Sequence, residues 1–325
     1  MKIGVISTAN IGRKRVIPAI QKTDAEVYAI ASRDPDRAAD VASELDIPRA
    51  YGSYEELLDD SELDAVYNPL PNSMHAEWTK RAADAGLDVL CEKPLGVDAE
   101  EAQQMTAYCA ERGVTLMEAF MYQFHPRTER AVEVAHEHLG DIRRVDAQFH
   151  FSLPEGENIR LDADLAGGSL MDVGCYAVTA ARLFLGQPES AYATAVDRRD
   201  CGVETGLTGV LAYPDGATAT ISSGFDESVH RYTVLGTAGR LDVDRAFVPD
   251  GETTLHYTVG GRTVEERFDP VDQYQLEVEH FIDAVDSRTQ PRTSGDDAVK
   301  TMRVIDALYE SVSREKPVDI TSERY

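Results

Sequence analysis

A chain of 325 residues, 42% of them apolar, is long enough to bury two cores, and it holds no run of 18 apolar residues that would read as a membrane span. Acidic residues outnumber basic ones 58 to 32, a formal charge of −26, which excludes nucleic acid and anionic membranes as partners because the chain repels both. Lysine occurs only at Lys2, Lys14, Lys22, Lys80, Lys93, Lys300 and Lys316; acidity with scarce lysine is expected of a halophilic protein, whose self-repulsion salt screens, with an ordinary acidic cytosolic protein as the alternative.

The first 120 or so residues alternate strand and helix patterns. Strands are expected near 2–7, 26–32, 64–68, 88–91 and 114–118, and helices near 11–22, 35–44, 73–85 and 98–111. That rhythm implies a parallel sheet covered on both faces, with Gly86 and Gly113 ending helices. A strand starting at Met1 and running straight into a turn is no signal peptide. After about residue 122 the period changes. A helix near 124–138 leads to a strand near 142–153, a helix near 169–185, and strands of period two such as 217–225 and 254–259. Helices near 273–286 and 296–314 close the chain. The expected architecture is an α/β Rossmann domain over 1–121 and an α+β domain over 122–325 with a large open, mainly antiparallel sheet. One face of such a sheet needs covering, and a partner subunit would do it.

Cys91, Cys109, Cys175 and Cys201 lack Cys-x-x-Cys spacing, so they read as buried apolar residues of a reducing, cytoplasmic compartment. His136 and His138 lie two apart on a helix and point to different sides, so no metal is expected.

The first strand runs into Ser7-Thr8-Ala9-Asn10-Ile11-Gly12. Ser7 and Ala9 stand where a Gly-x-Gly-x-x-Gly fingerprint has its first two glycines, and Gly12 keeps the third. Small residues here let the backbone approach a pyrophosphate at a helix N-terminus. The second strand ends Ala31-Ser32-Arg33-Asp34. An acid at the tip would suit the ribose of NAD; Ser32 and Arg33, joined by Arg37, suit the 2′-phosphate of NADP, which is favoured. Leu70, Asn72 and His75 follow the next strand, and Glu92-Lys93-Pro94 ends the one after it. Both strand ends lie at the carboxyl edge of the sheet, where ligands bind.

Gly167-Gly168-Ser169 opens a helix that places Asp172 in its first turn and Tyr176 four residues on, sharing its face. A glycine pair there would let a flat ring come close, while Leu170, Val173, Ala177 and Phe184 form the opposite, core-facing stripe. A buried structural tyrosine is the alternative.

The small-residue turn, Glu92-Lys93-Pro94 and the Gly167-to-Tyr176 helix together resemble the glucose-fructose oxidoreductase / inositol dehydrogenase / rhizopine-catabolism (Gfo/Idh/MocA) family. The Ser-Thr-Ala-Asn-Ile turn, Tyr176 and Asp272-Gln273-Tyr274 are similar to its branch of dimeric dihydrodiol dehydrogenases and NADP-dependent D-xylose dehydrogenases. The resemblance implies dimers or tetramers through the C-terminal sheet. It also implies a cofactor set of Ser7, Thr8, Ala9, Asn10, Ile11, Ser32, Arg33, Arg37, Leu70, Asn72, His75, Glu92 and Lys93, with Lys93, Asp172 and Tyr176 catalytic and Tyr122 and Arg160 lining the substrate side. Inositol dehydrogenases carry His at the position of Tyr176, which argues against their substrates.

The expected reaction is oxidation of a secondary hydroxyl, the anomeric one of an aldose such as D-xylose, by NADP⁺. Tyr176 would be the base, Lys93 the ammonium that favours its phenolate, and Asp172 would hold the substrate or Lys93. A trans-dihydrodiol dehydrogenase or keto-sugar reductase is the alternative enzyme, and an NADP-binding sensor the alternative without turnover.

Overall fold

The computed structural model describes residues 1–320, and the last five positions of the span expected for the second domain lie outside them. The described chain forms two compact units: 1–121 with 272–299, and 122–271 with the residues from Lys300 onward.

In the first unit six parallel strands form one sheet: β1 (Lys2–Ile6), β2 (Glu26–Ala31), β3 (Arg49–Tyr51), β4 (Ala65–Asn68), β5 (Asp88–Glu92) and β6 (Leu116–Ala119), in the order β3-β2-β1-β4-β5-β6. β1, β4, β5 and β6 are buried almost throughout, as near-continuous apolar strands covered on both faces must be. The order reverses between β1 and β4, so the turns after these strands flank the crevice at which ligands bind in open sheets. Gly86 and Gly113 take positive φ, as helix-ending glycines do. β3 and the helix Tyr54–Leu58 were not foreseen; the strand is three residues long and has no fully buried side chain to give it a period.

The segment 272–299, expected in the second domain, belongs to the first unit. Its helix Gln273–Ser287 buries Val278, Phe281, Ala284 and Val285 and packs on the helical segment that follows β1. Lys22 pairs with Asp272 at 2.6 Å and Arg288 with Asp88 at 2.9 Å.

The second unit is built on nine strands: β7 (Ile142–His150), β8 (Ser190–Val196), β9 (Gly206–Ala212), β10 (Thr218–Gly224), β11 (Val229–Gly236), β12 (Gly239–Asp244), β13 (Thr253–Val259), β14 (Arg262–Phe268) and β15 (Val318–Asp319). Their order is β14-β13-β12-β11-β7-β10-β9-β8-β15, antiparallel except for the β7–β10 pair. The register aligns Ile221, Ala147, Tyr232 and Val243 across four strands, and all four are buried. The helix Cys175–Leu185 packs on β7, β10 and β11. On the other face lie Thr208, Ser222 and Thr220, with the exposed Tyr192, Val196 and Val210 toward the β8 edge.

Candidate active site

In the first unit, β1 hands the chain to Ser7 at φ 115°, a backbone that favours glycine. Ser7 thus fills the fingerprint's first glycine position in the glycine conformation, and its Oγ accepts from Ala9 N at 3.2 Å. Gly12 opens a π-helical turn, Gly12–Val16, which continues as Ile17–Ile20. A Cβ on Gly12 would meet only ordinary contacts, the nearest being the Tyr67 ring at 3.4 Å.

At the end of β2, Ser32 is buried and Arg33 and Arg37 are exposed. Tyr54 stands beside both guanidiniums: burial raises its phenol and each arginine lowers it, Arg33 more strongly. Asp34 is occupied otherwise. It caps the helix Pro35–Glu44, its Oδ1 accepting from Asp36 N at 3.1 Å and Arg37 N at 3.2 Å. A basic pair with the nearest carboxylate committed to a helix end fits a 2′-phosphate better than a bare ribose.

After β4, Asn68 is fully buried and its Oδ1 accepts from Leu70 N at 3.3 Å. Leu70 is buried and Asn72 partly exposed. His75 departs from expectation. It is 0% exposed, with Nδ1 3.0 Å from the Pro94 carbonyl and Nε2 2.8 Å from the Leu70 carbonyl. Burial lowers its pKa first, with those carbonyls pulling the other way. Its ring braces the Leu70 and Lys93–Pro94 turns. Lys93 sits at the carboxyl end of β5, before a cis peptide to Pro94. Glu92 accepts from Tyr67 Oη at 2.7 Å, and Glu118 on β6 accepts from Leu95 N at 2.8 Å, so both strand neighbours fix the turn that carries the lysine.

In the second unit, a π-helical turn, Leu170–Gly174, precedes the helix Cys175–Leu185, so Asp172 and Tyr176 lie in and just after that turn. Such turns recur at functional sites. Tyr176 is 4% exposed and ringed by Phe149, Phe247 and Tyr122 at 5.3, 5.5 and 5.7 Å between centroids. Arg127 fixes the segment before Phe247, donating to the carbonyls of Asp244 at 2.8 Å and Arg245 at 2.7 Å. Leu170, Val173, Ala177 and Phe184 are buried, as the stripe required.

Three expectations change here. The glycine pair admits the chain's own neighbours: a Cβ on Gly167 would lie 2.6 Å from the Arg160 carbonyl oxygen, and one on Gly168 2.6 Å from the Glu204 carboxylate. Ser169 does not cap the turn it opens; its Oγ bonds Ser223 Oγ at 3.0 Å, and Glu204 accepts from Leu170 N at 2.7 Å instead. Tyr122 lies deeper than a residue expected to line the substrate side. It is fully buried behind Tyr176 and shares a 2.9 Å bond with Thr179 Oγ1. Arg160, by contrast, is 40% exposed in its side chain and donates from Nε to Asp172 Oδ2 at 2.7 Å, so the two are one ion pair.

Cys91, Cys109 and Cys175 are buried, and burial pushes the Cys109 thiol up to about 12 and the Cys91 thiol up as well, which suits packing rather than nucleophiles. Cys201 is only half-buried, contrary to expectation. Sequence reading missed Glu204, Arg127 and the aromatic ring around Tyr176, whose members are brought together from far apart in the chain. It also missed Glu277, whose signal was present: a carboxylate falling on the apolar stripe that carries Val278 and Phe281.

Two family models match. Residues 1–120 match "Oxidoreductase family, NAD-binding Rossmann fold" and residues 132–242 match "GFO/IDH/MocA C-terminal domain". The chain is 54% identical to D-xylose 1-dehydrogenase (NADP(+)) 2 of Haloferax volcanii, over 98% of this chain and 100% of that protein. A 3-ketoreductase from Actinomadura kijaniata, solved in complex with NADP and TDP-benzene, superposes with a TM-score of 0.90 at 34% identity, covering 96% of this chain and 97% of that one. The aldose-aldose oxidoreductase from Caulobacter crescentus, complexed with glycerol, gives 0.92 at 28% identity, covering 98% and 99%. With both halves matched and identity above half along its whole length, the chain belongs to the Gfo/Idh/MocA family of oxidoreductases.

Proposed function

We propose that this chain is an NADP-dependent aldose 1-dehydrogenase, acting on D-xylose or a sugar of similar shape. The observation that carries the reading is the 54% full-length identity to a D-xylose 1-dehydrogenase, in a chain whose β2 end presents Arg33 and Arg37 while Asp34 is committed to capping the following helix. Ser7, Thr8, Ala9, Asn10 and Ile11 would hold the pyrophosphate; Ser32, Arg33 and Arg37 the 2′-phosphate; Leu70, Asn72, Glu92 and Lys93 the remainder. His75 serves them as a brace. When bound, NADP⁺ supplies the hydride acceptor.

The protein's own part is proton chemistry and positioning. As the C1–H bond breaks and its electron pair leaves, the C1 hydroxyl gives its proton to Tyr176, and the C=O bond of the lactone forms. The Lys93 ammonium favours the phenolate that accepts this proton. Arg160, held by Asp172, binds sugar hydroxyls. The aromatic ring around Tyr176 keeps the phenol in place, so little reorganisation accompanies the transfer. With NADPH as the hydride donor the same groups would protonate the carbonyl oxygen of a keto-sugar, a second reading favoured by the match to a 3-ketoreductase. The first unit is the nucleotide domain, and the second is the substrate domain and the surface for homodimers or homotetramers through the open sheet face. The acidic surface suits a salt-rich cytoplasm.

The test is turnover. Purified protein with NADP⁺ and a panel of aldoses, keto-sugars and trans-dihydrodiols should form NADPH with pentoses most efficiently. Turnover of diols alone, or of nothing in the panel, would overturn the proposal.

A further inference from the structure

Three carboxyl groups of the first unit act on one another, one of them in the Glu92-Lys93-Pro94 turn itself. Glu92 ends β5, Glu118 lies on β6 and is 1% exposed, and Glu277 comes from the helix Gln273–Ser287 and is also 1% exposed. The first two have donors: Tyr67 Oη for Glu92 at 2.7 Å and Leu95 N for Glu118 at 2.8 Å. Glu277 differs, because its Oε1 is buried with no hydrogen-bond partner. An ionised carboxylate in that position would leave a charge poorly compensated in a low-dielectric interior, which disfavours the ionised form. A neutral acid there has an O–H to donate.

We propose that Glu277 is a positioning residue for the lysine turn, held as a neutral carboxylic acid so that it adds no charge beside Glu92 and Glu118. The groups around it favour this state. Burial raises its pKa most, and the neighbouring Glu92 and Glu118 raise it further. Tyr67 and Tyr274, neutral phenols nearby, are themselves raised by burial and then by Glu92, with Glu277 adding to the effect. Arg15, on the π-helical turn against which the Glu277 helix packs, and Asp272 act on Tyr274 with opposite signs. The next charge along the chain from Glu92 is Lys93 itself. If Glu277 ionised, its charge would repel the Glu92 carboxyl group and disturb the turn that presents Lys93.

The proposal rests on Lys93 being part of the reaction, so its test has one arm that needs no turnover. Infrared spectra of the whole protein at neutral pH should show the carbonyl stretch of a protonated carboxylic acid, lost in Glu277→Gln. In the turnover arm, Glu277→Gln reproduces the neutral acid's shape and charge. It should therefore rescue what Glu277→Ala loses in kcat, and should shift the alkaline limb of the kcat profile to higher pH. A native spectrum without that band, or the same band in Glu277→Gln, overturns the neutral acid. A band that is lost while the pH profile of Glu277→Gln matches the native one overturns the positioning role. Absence of turnover in every protein with the infrared result intact overturns the dehydrogenase reading instead.

Discussion

Replacing Tyr176 with Phe removes one oxygen and leaves the ring. The ring is held by Phe149, Phe247 and Tyr122 at 5.3 to 5.7 Å, and none of these contacts uses the hydroxyl. The folding cost should therefore stay near that of one hydrogen bond, about 1 kcal/mol. The catalytic cost should be far larger. A positioned acid or base contributes roughly 10²- to 10⁴-fold, which is ~2.7 to 5.4 kcal/mol in the barrier. Steady-state kinetics with NADP⁺ and D-xylose should show kcat falling by that factor, while NADP⁺ affinity, read by fluorescence titration, and thermal stability stay close to native. Lys93→Met should cause a similar loss. The double variant should be little worse than either single, since groups acting as one unit are not additive. A Tyr176→Phe protein with near-native kcat at saturating sugar would refute the assignment, and the base would have to be sought at Asp172 or in a bound water.

Three further outcomes follow from the same structure. Gly167→Ala would place a Cβ 2.6 Å from the Arg160 carbonyl oxygen. It should destabilise the chain by about 1–3 kcal/mol and raise KM for the sugar as Arg160 leaves Asp172, whereas an unchanged KM would separate Arg160 from the substrate. His125 caps the helix Pro126–His138 through its ring, and burial, then the neighbouring Arg127, depress its pKa to about 4. The unfolded chain, with its histidine near about 6.5, takes the proton first, so up to about 3 kcal/mol of stability is lost as pH falls from there to about 4. The loss between pH 7 and pH 5 in denaturation curves should shrink in His125→Asn, which keeps a capping oxygen, and an unaltered acid loss would exclude His125 as a source. With a charge of −26, the native protein should lose stability on desalting, and a melting temperature independent of salt would remove the halophilic reading.

What the sequence disclosed depended on how local each signal was. The alternating pattern of 1–121, the turn at Ser7 and the helix at Tyr176 are written in consecutive residues, and each appears where expected. The return of 272–299 to the first unit was not legible, because an amphipathic helix carries no mark of which core it buries against. The full burial of His75 and Tyr122 was not legible. A polar side chain near a strand end looks the same in sequence whether it faces a ligand or braces a neighbouring turn. Glu204, which caps Leu170 from 34 residues away, has no local signature at all. Glu277 was the legible omission: a carboxylate on a buried stripe is costly, and that cost is itself a signal.

Cofactor choice coupled to sugar oxidation is the most direct test of the proposed activity. Catalytic efficiency should be measured with D-xylose and either NADP⁺ or NAD⁺, in the native protein and in Arg33→Asp. The native protein should prefer NADP⁺, and Arg33→Asp should lose that preference by weakening NADP⁺ while sparing NAD⁺. Equal or better efficiency with NAD⁺ in the native protein would contradict the account.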